Sequence, residues 1–215
     1  MPECAVHAVE AILFEPVGTL ADFKGGSLAY WDRVESLASR LHPLPEDERI
    51  RQESWELLAV EQAVLYEDAA PALLELAGLG LRLIAASSLS EIALSRFLER
   101  TSLQGAFHDR WSRDRAGGVA QTVLTRALAA GSLAPDRVMF LADTAAGLRA
   151  ARSAGVHPIL MMNDPDEAMR LTACNPAGGI VSLHELPDFI RFLVAKDARA
   201  AFGWTPGHQQ EKGLI

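Results

Sequence analysis

Short apolar runs alternate along the chain with longer stretches in which apolar residues recur every three or four positions. The short runs are typical of strands buried on both faces, and the longer stretches are typical of amphipathic helices. The predicted strands are residues 11–14, 81–86, 138–142, 157–162 and 180–181. The predicted helices are residues 27–41, 46–65, 71–77, 91–100, 121–130 and 145–154, one that begins at 166, and one over 185–195. Strands that alternate with helices predict an α/β fold with a Rossmann-like parallel sheet and right-handed crossovers.

The first two predicted helices form an insertion after the first strand. We assign residues 23–67 to this insertion, which has roughly the length of a small helical subdomain. Residues 1–22 and 68–196 form the predicted α/β core, in which the stretch 105–118 is predicted to be loop-like with one short strand. The tail, residues 197–215, carries glycine, proline and two adjacent glutamines, so it is predicted to be irregular.

Composition and charge narrow the class of protein. Hydrophobic residues make up 49% of the chain and charged residues 22%, which is typical of a soluble globular protein. The net charge of -8 argues against nucleic acid and anionic membranes as partners, because both are polyanions. No apolar run approaches the ~20 residues of a membrane helix, and the first residues do not resemble a signal peptide. Cys4 and Cys174 have no metal-ligand spacing, so we expect free thiols and a cytoplasmic protein.

Polar side chains follow three of the predicted strands. Glu15 comes after the first strand, Ser87 and Ser88 after the second, and Asp143 with Thr144 after the strand 138–142. Parallel strands end at the same edge of a sheet, so these side chains are expected to meet in one crevice. Carboxylates suit Mg²⁺, while hydroxyl and backbone N–H groups suit phosphate oxygens. The sequence therefore predicts a site for Mg²⁺ and a phosphate.

A simpler explanation is open at this point. Serine and aspartate are also common helix caps. Ser87 and Ser88 precede the helix that begins near Glu91, and Asp143 precedes Gly147 in the next helix. In that case, the three strand ends carry no ligand chemistry.

Three segments together resemble the haloacid dehalogenase (HAD) superfamily of phosphohydrolases. They read FEPVGTLAD, LIAASSLS and FLADTAAGLRAARSAGV, and they match the first, second and last motifs of that family. The resemblance covers about residues 9–195. It implies an α/β core with an inserted helical cap, here a reduced one, and Mg²⁺-dependent phosphatase chemistry at the strand ends.

Several family roles carry over to matching residues. The resemblance implies that Ser87 is the phosphate-binding hydroxyl, with Ser88 beside it, and that Thr19 keeps its place in the phosphate site. Asp143 matches a magnesium-binding carboxylate. Gly147 replaces a second acidic residue, although active members of the family also have glycine there.

Other roles are changed. Glu15 stands where the family has its nucleophilic aspartate, and its extra methylene shifts the carboxylate by more than ~1 Å, a scale that can cost ~10²-fold in rate. Val17 stands at the position of the general acid/base, and it cannot transfer a proton. The family's lysine is expected near residues 115–119, where the chain reads RAGGV. Lys24 and Arg115 are candidate replacements for this cation, although a guanidinium is not equivalent to an ammonium.

Two hypotheses of function follow, and a third is structural. In the first, the site is degenerate, and the protein is catalytically impaired and binds a small phosphorylated ligand or a protein partner. In the second, the protein is an active Mg²⁺-dependent phosphatase that uses Glu15 and Asp143. In the third, the crevice binds nothing. The sequence leaves the ligand's identity and the oligomeric state open.

Overall fold

The computed structural model describes residues 9–23, 45–163 and 165–201, without the side chains of 167 and 194–201. Within these ranges the chain forms a six-stranded sheet in which every neighbouring pair is parallel. The strands are β1 (Ala11–Phe14), β4 (Arg82–Ala86), β5 (Asp109–Trp111), β6 (Val138–Ala142), β7 (His157–Met161) and β8 (Gly178–Ile180). Their order is β5-β4-β1-β6-β7-β8. The predicted α/β Rossmann-like fold is confirmed.

Helices connect these strands. The α-helices in the described ranges are α1 (Glu46–Gln62), α2 (Ala69–Gly78), α3 (Glu91–Arg100), α4 (Arg113–Ala116), α5 (Gln121–Gly131), α6 (Ala145–Ser153), α7 (Pro165–Leu171) and α8 (Glu185–Ala201). Short 3₁₀ turns occupy Gln104–Ala106, Pro135–Arg137 and Thr172–Cys174. Two further strands, β2 (Ala21–Asp22) and β3 (Val64–Leu65), form a separate antiparallel pair. None of the helices in the described part of the chain is long and apolar enough to cross a bilayer.

Strand β1 lies in the middle of the sheet. It pairs with β4 on one side and β6 on the other, and Phe14 is in register with both Ala85 and Leu141. Ile12 and Phe14 pack into one hydrophobic cluster, and Ala11 and Leu13 into the other. A strand with helices on both faces buries every side chain, which explains its uninterrupted apolar sequence.

Several stretches differ from the sequence prediction. Helix α1 ends at Gln62, because Val64 and Leu65, which were predicted to be helical, pair with β2 as strand β3. The loop-like region contains α4, because Ser112 caps this short helix and Gly117, at φ 75°, ends it. Helix α8 continues to Ala201, so the first residues of the predicted irregular tail are helical. The tail beyond residue 201 lies outside the described residues, as do Cys4 and the predicted helix 27–41. The limits of the insertion and core stay predictions.

Helix α1 lies within the predicted insertion and packs against α3. The apolar Trp55 and Leu58 of α1 are each about half exposed. Its buried face instead includes the polar residues Gln52 and Glu56.

Candidate functional site

The central register of β1 brings three chain segments to one edge of the sheet. Glu15 follows Phe14 directly, and its N–H donates to the Leu141 carbonyl across a distance of 3.1 Å. On the other side, the Ser87 N–H donates to the Trp111 carbonyl and extends the pairing of β4 with β5. The strand ends at Glu15 and Ser87 are therefore fixed by main-chain bonds that continue the sheet.

The Glu15 carboxylate is bound by the end of β4. The Ser87 hydroxyl donates to Glu15 Oε1 at 2.5 Å, and the Ser88 N–H donates to Glu15 Oε2 at 3.0 Å. Ser87 is fully buried, and its Oγ also accepts from the Leu89 N–H at 3.1 Å. Both carboxylate oxygens are thus held by donors of the kind that bind a phosphate.

The helix-cap explanation of these residues is wrong. The Ser90 hydroxyl caps α3 by accepting from the Ala93 N–H, and the Thr144 hydroxyl caps α6 by accepting from the Gly147 N–H. Ser87, Ser88 and Asp143 are therefore not the N-caps of those helices.

Asp143 lies against the turn that follows β1. Gly18 has φ 73°, and a Cβ atom added to it would lie 1.7 Å from Asp143 Oδ2. Glycine is required here by both the backbone conformation and the proximity of the carboxylate. Asp143 and the Glu15 turn are therefore in direct contact at the carboxyl edge of β1 and β6.

Asn163 joins this contact from the end of β7. Its side-chain amide donates to the Gly18 carbonyl at 2.5 Å and to Asp143 Oδ2 at 3.4 Å. Asn163 was not among the site residues predicted from the sequence. It follows the next strand in the sheet, so the strand-end rule that selected Glu15, Ser87 and Asp143 also selects it.

The side chains of Thr19 and Val17 pack toward the protein interior in this turn. Thr19 is fully buried, and its hydroxyl donates to the main-chain carbonyl of Glu15. Val17 packs against the hydrophobic cluster on one face of the sheet. The Thr19 hydroxyl proton is therefore used inside the turn, and the Val17 position contributes an apolar side chain.

Tyr66 is a second residue near the Glu15 turn that was not predicted from the sequence. Burial raises the pKa of Tyr66 to about 12, and the negative charges of Asp22, Asp143 and Asp68 add to this effect. Its main-chain N–H donates to the Leu20 carbonyl, directly after the Glu15 turn. At neutral pH its phenol is therefore a protonated hydrogen-bond donor and not a base. Its only sequence signal is its position at the end of the insertion.

The residue that follows the segment expected to hold the family's lysine is hydrogen-bonded to Ser88. The Ala120 N–H donates to Ser88 Oγ at 3.2 Å. Ala120 has φ 45° and ψ -106°, a conformation that is costly for a residue with a side chain and that concentrates at functional sites. The chain has no lysine between residues 25 and 195, so this segment supplies a backbone N–H and no ammonium.

The two proposed substitutes for that lysine have different outcomes. Arg115 lies at the β5 edge, where its guanidinium donates to Asp109 Oδ1 at 2.7 Å and stacks 4.1 Å above the Trp111 ring. The structure therefore places Arg115 with Asp109 and Trp111, not with Glu15. Burial acts to raise the pKa of Asp109, but hydrogen bonds from Arg115 and others lower it overall. Lys24 lies outside the described residues.

Metal-ligand groups are sparse. Across residues 9–23, 45–163 and 165–201, no cluster of three or more His, Cys, Asp or Glu side chains is arranged to hold a metal ion. The carboxylates of Glu15 and Asp143 supply hard oxygens on adjacent strands. Mg²⁺ is commonly bound through one or two carboxylates with water completing its shell, so this donor set is compatible with Mg²⁺.

The family comparison decides the classification. The model of the haloacid dehalogenase-like hydrolases matches residues 5–155, which is more than half of the chain. The chain belongs to the haloacid dehalogenase-like hydrolases. The resemblance identified from the sequence motifs is confirmed. No curated protein matches the sequence of this hydrolase-family member.

Solved structures share the fold at low sequence identity. A predicted phosphatase from Clostridium acetobutylicum has a TM-score of 0.71 at 15% identity, with 86% of this chain and 100% of that chain covered. The haloacid dehalogenase-like protein SP0104 from Streptococcus pneumoniae has a TM-score of 0.70 at 17% identity, covering 85% and 98%. L-2-haloacid dehalogenase from Xanthobacter autotrophicus has a TM-score of 0.62 at 16% identity, covering 85% and 98%. These similarities establish the fold of this family member.

Proposed function

We propose that this member of the haloacid dehalogenase-like hydrolases is catalytically impaired and that its crevice binds a small phosphorylated ligand. The observation that carries the proposal is the position of the Glu15 carboxylate. Both of its oxygens accept hydrogen bonds from the Ser87 and Ser88 donors that the family resemblance assigns to phosphate. Glu15 therefore takes the place of a ligand anion, and it is not free to attack one.

The geometry of Glu15 opposes covalent catalysis. An attacking carboxylate oxygen needs a lone pair directed at phosphorus, at a separation of about 3–3.5 Å and in line with the leaving group. Here the carboxylate is instead directed toward the end of β4. The apolar Val17 also removes proton transfer, which typically contributes about 10²–10⁴ in rate.

The charge of the crevice also opposes covalent catalysis. Arg113 and Arg115 are paired with Glu56 and Asp109, respectively. A transferring phosphoryl group requires nearby positive charge. Glu15 and Asp143 instead bring negative charge to the sheet edge.

Mg²⁺ fits this charge distribution. Glu15 and Asp143 would hold the ion, which supplies positive charge that attracts a phosphate when it is bound. Binding of the ligand phosphate requires Glu15 to release the Ser87 hydroxyl and the Ser88 N–H. These two groups then donate to the phosphate oxygens.

An active Mg²⁺-dependent phosphatase is the second candidate. The observation in its favour is that Glu15 keeps a carboxylate in the nucleophile position, in a turn that also contacts Asp143 through Gly18. The protonated Tyr66 provides a donor in the same region. This candidate requires Glu15 to leave its Ser87 and Ser88 partners and act on the substrate.

Turnover of an aryl phosphate with Mg²⁺ separates the two candidates. We expect no turnover by the wild-type protein above the level of the Glu15→Ala variant. The double variant Glu15→Asp with Val17→Asp restores the two family carboxylates, and we expect it to gain activity. Wild-type turnover that Glu15→Ala abolishes would overturn the proposal and support the phosphatase.

Ligand binding is tested separately by thermal unfolding. A ligand that binds only the folded protein raises its melting temperature. We expect stabilisation by inorganic phosphate or vanadate in the presence of Mg²⁺, and we expect Ser87→Ala to reduce it. Glu46→Ala is the control, because that carboxylate is 81% exposed on α1. Absence of any shift would show that the crevice binds nothing and would contradict the proposal.

A further inference from the structure

A buried ion pair connects the insertion to the core. Glu56 of α1 and Arg113 of α4 are separated by 2.7 Å between Oε1 and Nη1, and their side chains are 0% and 2% exposed. Placing two charges in the interior costs free energy, which their attraction offsets only when additional hydrogen bonds satisfy both groups. The additional hydrogen-bond partners therefore identify which part of the structure the pair holds in place.

Arg113 and Glu56 each have an additional partner in the turn that binds Glu15, and Gln52 of α1 also donates to Glu56 Oε1 at 3.2 Å. Arg113 Nη1 also donates to the Ser88 carbonyl at 2.8 Å. Glu56 Oε2 accepts from the Ser90 N–H at 2.9 Å. The main chain of α4 contributes as well, because the Arg113 N–H donates to the Leu89 carbonyl at 2.9 Å.

Ser88 is consequently fixed on both sides. Its N–H, in the peptide unit before it, donates to Glu15 Oε2. Its carbonyl, in the peptide unit after it, accepts from Arg113. With both peptide units held, the Ser88 backbone has little freedom, and the direction of its N–H toward the crevice is set.

We infer that Glu56 and Arg113 are positioning residues, which orient the Ser87 and Ser88 donors toward the crevice. The insertion is thereby part of the scaffold of the site, since one half of the pair comes from α1. This inference concerns the geometry of the donors. It holds whether or not the crevice binds a phosphorylated ligand.

A purely structural role is the competing explanation. The pair would then attach α1 to the core without affecting Ser88. Arg96 and Glu61 provide a comparison, because this pair also connects α1 to the core, here through α3, with 2.8 Å between Nε and Oε1, at 49% and 48% exposure. The Arg96 and Glu61 side chains bind each other and not the turn that binds Glu15.

Amide hydrogen exchange detected by NMR distinguishes the explanations. The variant Glu56→Leu with Arg113→Met replaces the pair by apolar residues of similar size, a change that often leaves stability intact. We expect exchange at the Ser88 amide to become about tenfold faster or more, relative to the Leu13 amide in the sheet centre. Leu13 is the reference because hydrogen exchange distinguishes local opening at Ser88 from global unfolding. Ser90 is not diagnostic, because it loses its acceptor directly.

The matched variant Glu61→Leu with Arg96→Met should leave the Ser88 to Leu13 ratio unchanged. If the first double variant does not fold, the nearly isosteric Glu56→Gln variant is measured instead. Its side-chain NH₂ group faces one of the donors, Ser90 N–H or Arg113, that bind the Glu56 carboxylate in the wild type. Faster relative exchange at Ser88 in Glu56→Gln is again expected. An unchanged ratio in the variant that folds would overturn the inference, whatever the outcome of the ligand-binding experiments.

Discussion

The Ser87 hydroxyl donates to the Glu15 carboxylate across 72 residues of sequence, with an O–O distance of 2.5 Å. The bond joins the ends of the adjacent strands β1 and β4. An aspartate at position 15 has one methylene less, so its carboxylate would lie farther from Ser87. The single added methylene therefore allows the side chain to reach the donors at the end of the neighbouring strand.

Removal of the Glu15 carboxylate should strengthen the binding of anions. In Glu15→Ala the Ser87 hydroxyl and the Ser88 N–H lose their internal acceptor, and a negative charge leaves the crevice. Hydrogen bonds to a charged group contribute about 1.5–3 kcal/mol, and about 1.4 kcal/mol corresponds to a factor of ten in affinity. We expect inorganic phosphate without Mg²⁺ to bind at least about tenfold more tightly to Glu15→Ala than to the wild type, as measured by calorimetry.

The double variant Glu15→Ala with Ser87→Ala is the control for this gain. It lacks the same carboxylate, but it also lacks the released hydroxyl donor, so most of the gain should disappear. Equal or weaker phosphate binding by Glu15→Ala would show that Glu15 does not compete for these donors.

Gly18 should tolerate no side chain. Alanine there must adopt φ 73° and place Cβ 1.7 Å from Asp143 Oδ2. The left-handed conformation costs about 1–2 kcal/mol, and overpacking costs typically about 1–3 kcal/mol. Urea unfolding of Gly18→Ala is therefore expected to show a loss of about 2–5 kcal/mol.

Gly80→Ala isolates the backbone part of that cost. Gly80 has φ 78°, but nothing lies within 4 Å of an added Cβ. Its alanine variant should lose only the contribution of the left-handed conformation, about 1–2 kcal/mol. Equal losses at both positions would contradict the close contact between Gly18 and Asp143.

The sheet was predictable because its signals are local. The four residues of β1 and the five of β6 are continuous apolar runs, and full burial in a parallel sheet explains them. Helix α3 was predicted with its observed limits, because its apolar residues recur on one face. Helix α4 has only four residues, too few for a periodic signal.

The composition of the site was predictable, and its internal bonding was not. The strand-end rule selected Glu15, Ser87 and Asp143 without any contact information. The bond from Ser87 to Glu15 depends on the reach of one side chain, and the burial of Glu56 depends on the packing of α1 against the core. In α1 the apolar Trp55 is half exposed, whereas Glu56 is buried because Arg113 is its partner.

The phenol of Tyr66 should titrate far above the ordinary value. The chain has two tyrosines, so Tyr30→Phe leaves Tyr66 as the only one, and absorbance at alkaline pH reports its ionisation. We expect a midpoint near 12, the pKa that burial and then the charges of Asp22, Asp143 and Asp68 produce. The folded pKa exceeds the unfolded value, so stability should decrease as the pH rises above about 10.

Asp143→Asn in the same background tests the proximity of that carboxylate. Loss of its negative charge should lower the pKa of Tyr66 only partly, because burial is the largest cause. A midpoint near 10 in Tyr30→Phe, or no change on introducing Asp143→Asn, would contradict the arrangement of Tyr66 and Asp143.

Asp68 should stabilise the fold in a pH-dependent way. Its Oδ2 accepts from the Ser182 hydroxyl and the Leu183 N–H, each at 2.7 Å, and more weakly from the His184 N–H at 3.4 Å. Burial acts to raise the pKa of Asp68, but these hydrogen bonds outweigh it and lower the pKa below the ordinary 3.8. The stabilisation is therefore fully present above pH 3.8 and is lost as the pH falls through the lower folded pKa. We expect Asp68→Asn to lose about 1.5–3 kcal/mol at pH 7, as for other hydrogen bonds to charged groups.

The difference in unfolding free energy between wild type and Asp68→Asn, measured in urea from pH 7 to 2.5, isolates this carboxylate from the others that titrate with it. The difference should be constant down to about pH 4–5 and then decrease in more acidic solution. Asp188→Asn is the control, because Asp188 is 83% exposed and pairs with Arg191 on the surface of α8. Exposed pairs contribute about 0–1 kcal/mol, so Asp188→Asn should have a small effect at pH 7. A difference for Asp68→Asn that does not change with pH would show that the ionised Asp68 carboxylate is not what holds the turn before α8.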